Sequence, residues 1–93
     1  MPVRITYDPV KSMRNRQERG MPFELATVFD WSTALIVEDL RQDYQERRFQ
    51  ALGFMEEHLC MLVFTPREGA VHVISLRRAN QRERNRYAAH PQP

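Results

Sequence analysis

A single cysteine, three glycines, three histidines and one lysine in 93 residues leave little room for several familiar chemistries. Cys60 has no intramolecular disulfide partner and lies inside an apolar run, so it reads as a packed thiol rather than a reactive one. None of the three glycines belongs to a glycine-rich phosphate loop, and no His/Cys/Asp/Glu spacing resembles a zinc site. Neither a nucleotide cofactor nor a metal is expected. Ser75 lacks the surroundings of a nucleophile elbow, which excludes a serine hydrolase. No apolar run approaches the roughly 20 residues that span a bilayer, and the N-terminus lacks the apolar core of a secretory signal. A cytoplasmic protein without a membrane partner is the expectation. Internal repeats, linkers and low-complexity tracts are missing too, so residues 1–93 read as one domain.

What is present is enough for a small core: hydrophobic residues make up 42% and charged residues 28%, the balance of a folded chain rather than a disordered one. The organising stretch is residues 59–79, LCMLVFTPREGAVHVISLRRA. Residues 59–64 are apolar at every position, as in a strand covered on both faces, and the following AVHVISL is rich in β-branched residues. Pro66, Arg67, Glu68 and Gly69 supply turn chemistry between them, which predicts an antiparallel hairpin at the centre of a sheet.

Around that hairpin the chain reads as α+β. Residues 4–7 form a short edge strand. Asp8 and Pro9 give an N-cap and a first helical position, and Gly20 ends the helix. Pro22 starts a second helix through Phe29, with Leu25, Ala26, Val28 and Phe29 on its apolar side. A strand is expected over residues 34–37, a loop over 38–45 and a strand over 48–54, making an antiparallel meander with the hairpin. Asn80 with Glu83 three residues on resembles a capping box opening a polar helix that runs to about Ala89. That helix is highly charged, so its core contribution reads as small and its use as an interface. Pro91 closes the chain, with Gln92 and Pro93 frayed.

The net charge of +2 hides a segregation: residues 1–20 hold five basic and two acidic side chains, residues 21–66 three and eight, and residues 67–93 six and two. Thirteen of the fourteen basic residues are arginine, which grips phosphate and carboxylate bidentately and stacks on bases. Basic ends and an acidic middle favour an anionic partner. His72 within the second hairpin strand, Arg77 and Arg78 at its end and Arg67 in the turn are the residues that stand out. By strand alternation His72 shares a side with Ile74 and Leu76. It reads either as a half-buried, hydrogen-bonded histidine or as a proton shuttle on an open sheet face. In the second reading the neighbouring arginines hold a scissile phosphate while a 2′-hydroxyl attacks, which is RNA cleavage without metal.

At this point the residues resemble a family. Tyr7-Asp8-Pro9 with Lys11, Asn15 and Gly20, Phe23-Glu24 with Ala26 and Val28-Phe29, and Glu46 and Arg48 before Gly53-Phe54 match the BrnT toxins of BrnT/BrnA type II toxin–antitoxin modules. Val63-Phe64-Thr65, Ile74-Ser75 with Arg77 and Ala79, and Glu83-Arg84 with Tyr87 extend the match over nearly the whole chain. The resemblance implies a fold similar to the RelE ribonucleases and a small endoribonuclease that inhibits translation. It also implies neutralisation by a ribbon-helix-helix antitoxin, with operator DNA bound only through that antitoxin. RNA is the implied substrate, and a dimer is left open. Two departures fall near the expected site: the family's Lys-His-Gly is Glu18-Arg19-Gly20 here, and His72 stands where the family's hairpin strand carries arginine. The candidate catalytic residues are therefore Arg19, His72 and Arg77, with Arg48, Arg67 and Arg78 as RNA-binding residues and Glu18 as a further candidate. Arg48 and Arg77 read equally well as ion-pair partners of Glu46 or Glu83. A noncatalytic RNA-binding or antitoxin-binding protein on the same scaffold is the alternative.

Overall fold

The computed structural model describes residues 3–90, so the expected closure at Pro91 and the frayed Gln92 and Pro93 lie outside the described residues. The element order is β1 (Ile5–Tyr7), α1 (Pro9–Arg19), a 3₁₀ helix (Phe23–Val28), a 3₁₀ turn (Trp31–Thr33), β2 (Leu35–Glu38), β3 (Phe49–Met55), β4 (His58–Arg67), β5 (Ala70–Arg78) and α2 (Gln81–Ala89). Local chemistry sets the helix ends. Asp8 accepts from the amides of Val10 at 2.9 Å and Lys11 at 3.4 Å, ahead of Pro9. Gly20 closes α1 in the left-handed region at φ 70°, where its amide donates to the Arg16 carbonyl and a side chain would be strained. At α2 the capping box is reciprocal: the Glu83 amide donates to Asn80 Oδ1 at 2.8 Å, and the Asn80 amide donates to Glu83 Oε1 at 3.0 Å.

The five strands form one sheet in the order β1-β5-β4-β3-β2. Strands β2 to β5 are the antiparallel meander the sequence predicts, and β4 is its centre. Strand β1 adds to the outer side of β5 in parallel, so the sheet as a whole is mixed. No helix among the described residues is long and apolar enough to cross a membrane.

The second helix is not α-helical. Phe23, Ala26 and Phe29 recur every three residues and are all buried, which fits the period of a 3₁₀ helix better than 3.6. Its cap, Pro22, makes no side-chain hydrogen bond to the first turn. Beyond Phe29, Asp30 accepts from Ser32 and Thr33 and starts a separate 3₁₀ turn, ending the segment early.

One sheet face carries the main core: Ala51, Met55, Cys60, Leu62, Phe64, Val73 and Leu76 pack against Phe23, Ala26 and Phe29. Asn15 fastens α1 to this layer by donating to the carbonyls of Met21 at 2.6 Å and Leu76 at 2.8 Å. The opposite face carries a smaller cluster, Leu52, Met61 and Ala79, with Leu35, Leu59, Val63 and Tyr87 against it. Helix α2 is thus more than a charged appendage. Tyr87 packs edge-on against Phe54, its hydroxyl donates to the Thr33 carbonyl at 2.8 Å, and Glu83 is buried.

At Gly53 the chain leaving each 3₁₀ segment packs directly on β3. A Cβ there would lie 2.5 Å from Phe29 Cζ and 3.1 Å from Ala34 Cβ. Phe29 is itself buried in the core and has little space to retreat. Gly53→Ala is expected to destabilise the protein by about 1–3 kcal/mol, the usual range for overpacking, and urea denaturation measures it. An unchanged midpoint would show that the ring relocates freely.

Candidate functional site

A β-bulge decides what faces what on β5. Val63 pairs with Ser75 but the next residue, Phe64, pairs with Val73, so Ile74 is the extra residue on β5. Alternation alone puts His72 on the side of Ile74 and Leu76. The bulge instead turns Leu76 into the core and His72 to the opposite face, paired with Thr65 on β4 and Thr6 on β1. The same bulge brings Arg77, paired with Met61, onto the face that bears His72.

On that face His72 is half-buried and held. Its Nδ1 lies 2.8 Å from Thr6 Oγ1, and burial, reinforced by the Arg67 guanidinium, lowers its pKa from the usual 6.5. Lys11 acts in the same direction more weakly, while Glu46 and Asp8 oppose it. The imidazole is consequently neutral near pH 7, with Nε2 lacking a protein partner among the described residues. Arg67 is clamped to Glu46 by two hydrogen bonds of 3.1 and 2.5 Å, and each partner holds the other in its charged form. Arg48, half-buried just before β3, lies 4.3 Å above the Tyr44 ring and makes no ion pair among the described residues. Of the two carboxylates weighed for Arg48 and Arg77, Glu46 belongs to Arg67.

Arg77 is taken up elsewhere. Its two terminal nitrogens donate to the two oxygens of Glu83 at 2.8 Å each, and Glu83 also accepts from the Asn80 amide. The pair fastens α2 to β5. This leaves the guanidinium's best fork occupied and lowers the Glu83 pKa, chiefly through that hydrogen bond.

Arg19 and Arg78 lie at the far end of the molecule from His72. His72 and Arg78 are six residues apart on β5, about 20 Å at the rise of a strand. Arg19, at the end of α1, and Arg78 line a cleft of about 400 Å³ with Met21, Leu25, Met55 and His58 among its walls. Arg78 contacts His58 Nδ1, and because a guanidinium only donates, that ring nitrogen is the acceptor. Glu18 is exposed at the end of α1. The candidate residues thus form two groups rather than one: His72 with Arg67 on the sheet face opposite the main core, and Arg19 with Arg78 in the cleft. Arg77 lies on the face of the first group but is tied to α2.

Sequence reasoning missed Thr6 as the partner of His72, and His58 as the partner of Arg78. These pairs are 66 and 20 residues apart, and only the parallel pairing of β1 and the β4–β5 register bring them together.

The chain is a small α+β domain with arginine-rich surfaces and a held imidazole on its sheet. Residues 7–83 match the family described as the ribonuclease toxin BrnT of type II toxin–antitoxin systems. The chain belongs to the BrnT family, and an antitoxin is its partner. Comparisons with curated proteins and with solved structures find no match.

Proposed function

We propose that this toxin is a metal-independent endoribonuclease whose cleavage centre is His72 on the sheet face opposite the main core. The observation that carries the reading is the held imidazole: Thr6 fixes Nδ1 at 2.8 Å and the Arg67–Glu46 pair lies in its field. Neutral His72 accepts the proton of a ribose 2′-hydroxyl, the 2′-oxygen attacks phosphorus, and the bond to the 5′-oxygen breaks as that oxygen takes a proton from water. Arg67 uses Nη1, the terminal nitrogen Glu46 does not take, to stabilise the charge growing on the phosphoryl oxygens, and Arg48 takes a neighbouring phosphate. Arg77 acts as a positioning residue through Glu83, holding α2 along one border of the face. Arg19 is too far from His72 to share its phosphate.

The test is cleavage of RNA by the purified toxin with EDTA present, with and without ribosomes. The expected products end in a 2′,3′-cyclic phosphate. No cleavage in either setting would move the reading to a noncatalytic binder on the same scaffold.

The pH profile carries the sign of the His72 shift. A base acts when unprotonated, so a lowered pKa keeps His72 active below pH 6.5, and the acid limb of cleavage is expected below that value. Arg67→Gln removes a cation that lowers the pKa and leaves Glu46, which raises it, without its partner. The limb should therefore move upward in pH. A downward or absent shift in a rate profile would separate Arg67 from His72.

The antitoxin of this reading is a ribbon-helix-helix protein of the cytoplasm that carries the complex to operator DNA and lays an acidic segment across the basic surface. Arg82 and Arg86 on α2 are exposed and make no ion pair among the described residues. Association should slow and weaken as salt rises. Titration at two ionic strengths checks this, and salt-independent binding would rule out electrostatic docking.

A further inference from the structure

The cleft bounded by Arg19 and Arg78 lies about 20 Å along β5 from His72, on the side of the sheet where α1 packs, and the cleavage step has no use for its shape. Its volume of about 400 Å³ is that of a small-ligand site. The interior is apolar and rich in sulfur: Met21 and Leu25 on one side, Met55 and Cys60 on the other. Thioethers are soft and polarisable and pack favourably on flat aromatic rings. At the mouth, Arg19 and Arg78 arrive from different elements, the end of α1 and the end of β5, and neither makes an ion pair with a carboxylate among the described residues. Arg78 spends one nitrogen on His58 Nδ1, which leaves the ring's other nitrogen to carry the proton and donate.

We infer that this cleft binds a nucleoside phosphate unit, with the base on the methionine-lined interior and the phosphate between Arg19 and Arg78. Guanidinium groups suit phosphate because their planar fork matches its oxygens, and the His58 N–H adds a third donor. Glu56, exposed on the same wall, is the acceptor for ribose hydroxyls or a base amine. An extended peptide suits the cleft less well. Beyond the three residues that β1 pairs, the outer edge of β5 has its Leu76 carbonyl taken by the Asn15 amide, which breaks the ladder an added strand would need. The unit is either a free nucleotide or one residue of an RNA strand whose scissile bond lies at His72. Only the second source rests on the ribonuclease reading.

The experiment follows the methionine methyl signals of the full chain by NMR. The titrants are adenosine 5′-monophosphate, inorganic phosphate alone, a 2′-O-methyl RNA hexamer that cannot be cleaved through its 2′-oxygens, and an acidic peptide. The nucleotide is expected to move Met21 and Met55 and leave Met61, on the other sheet face, in place. Phosphate alone should bind at least about tenfold more weakly, since it forgoes the apolar interior. Arg19→Ala and Val28→Glu both alter exposed positions, and each should weaken nucleotide binding by about tenfold or more. Tighter binding of the hexamer than of the monophosphate assigns the site to the RNA strand, and the reverse assigns it to a free nucleotide. Binding with no RNA cleavage would leave this site standing while the proposed activity falls. Unmoved Met21 and Met55 signals, full affinity in both variants, or a response to the acidic peptide alone would overturn the assignment.

Discussion

Leu62→Ala is expected to cost about 2–5 kcal/mol of stability, the range for truncating a buried leucine. Leu62 sits at the middle of β4, the central strand of five, and is fully buried. Its cross-strand neighbours are Ala51 on β3 and Leu76 on β5, and both are fully buried as well. Ala51 is too small to fill the space a missing isobutyl group leaves. Leu76 is fixed from behind, because its carbonyl accepts from Asn15. The site therefore relaxes little, and the cavity cost adds to the lost transfer energy. Urea denaturation of wild type and variant measures the difference, with Val10→Ala on the exposed side of α1 as a control expected within about 0.5 kcal/mol of wild type. A Leu62→Ala cost below about 1 kcal/mol would show that β4 is not the centre of the core.

The same strand explains why so much of the fold was legible in the sequence. Uninterrupted apolar character over residues 59–64 marks a strand buried on both faces, and the helix caps at Asp8, Gly20 and Asn80 are local patterns. The site was less legible because its geometry is not local. One inserted residue, Ile74, reverses the alternation that puts His72 beside Leu76, and nothing in AVHVISL marks the insertion. The Arg67–Glu46 pair closes over 21 residues and the Thr6–His72 bond over 66, so neither has a sequence signature. The Arg77–Glu83 pair spans only six residues and was legible as an alternative. The three-residue recurrence of Phe23, Ala26 and Phe29 was a readable 3₁₀ signal, obscured by the apolar Leu25 and Val28 between them.

The bulge also sets the terms of the largest functional effect expected here. His72→Ala should reduce RNA cleavage by about 10²- to 10⁴-fold, the usual contribution of a positioned acid or base. The fold should survive, because His72 is half-buried and lies outside both core clusters. The hydroxyl it releases, on Thr6, is only half-buried and can turn to water. Circular dichroism and the urea midpoint establish that folding is intact before rates are compared. A merely structural histidine would lower activity in proportion to lost stability. A proton-transferring one lowers the rate at saturating RNA and removes the acid limb of the pH profile with it. Thr6→Val tests the support: with Nδ1 released, the rate should fall by a smaller factor while the acid limb persists. Arg77→Ala provides the contrast. Freeing Glu83 loosens α2 and weakens stability and cleavage together, whereas His72→Ala acts on cleavage alone. Wild-type rates in a folded His72→Ala protein would take His72 out of the mechanism and leave the cleft with Arg19, His58 and Arg78 as the place to look for the chemistry.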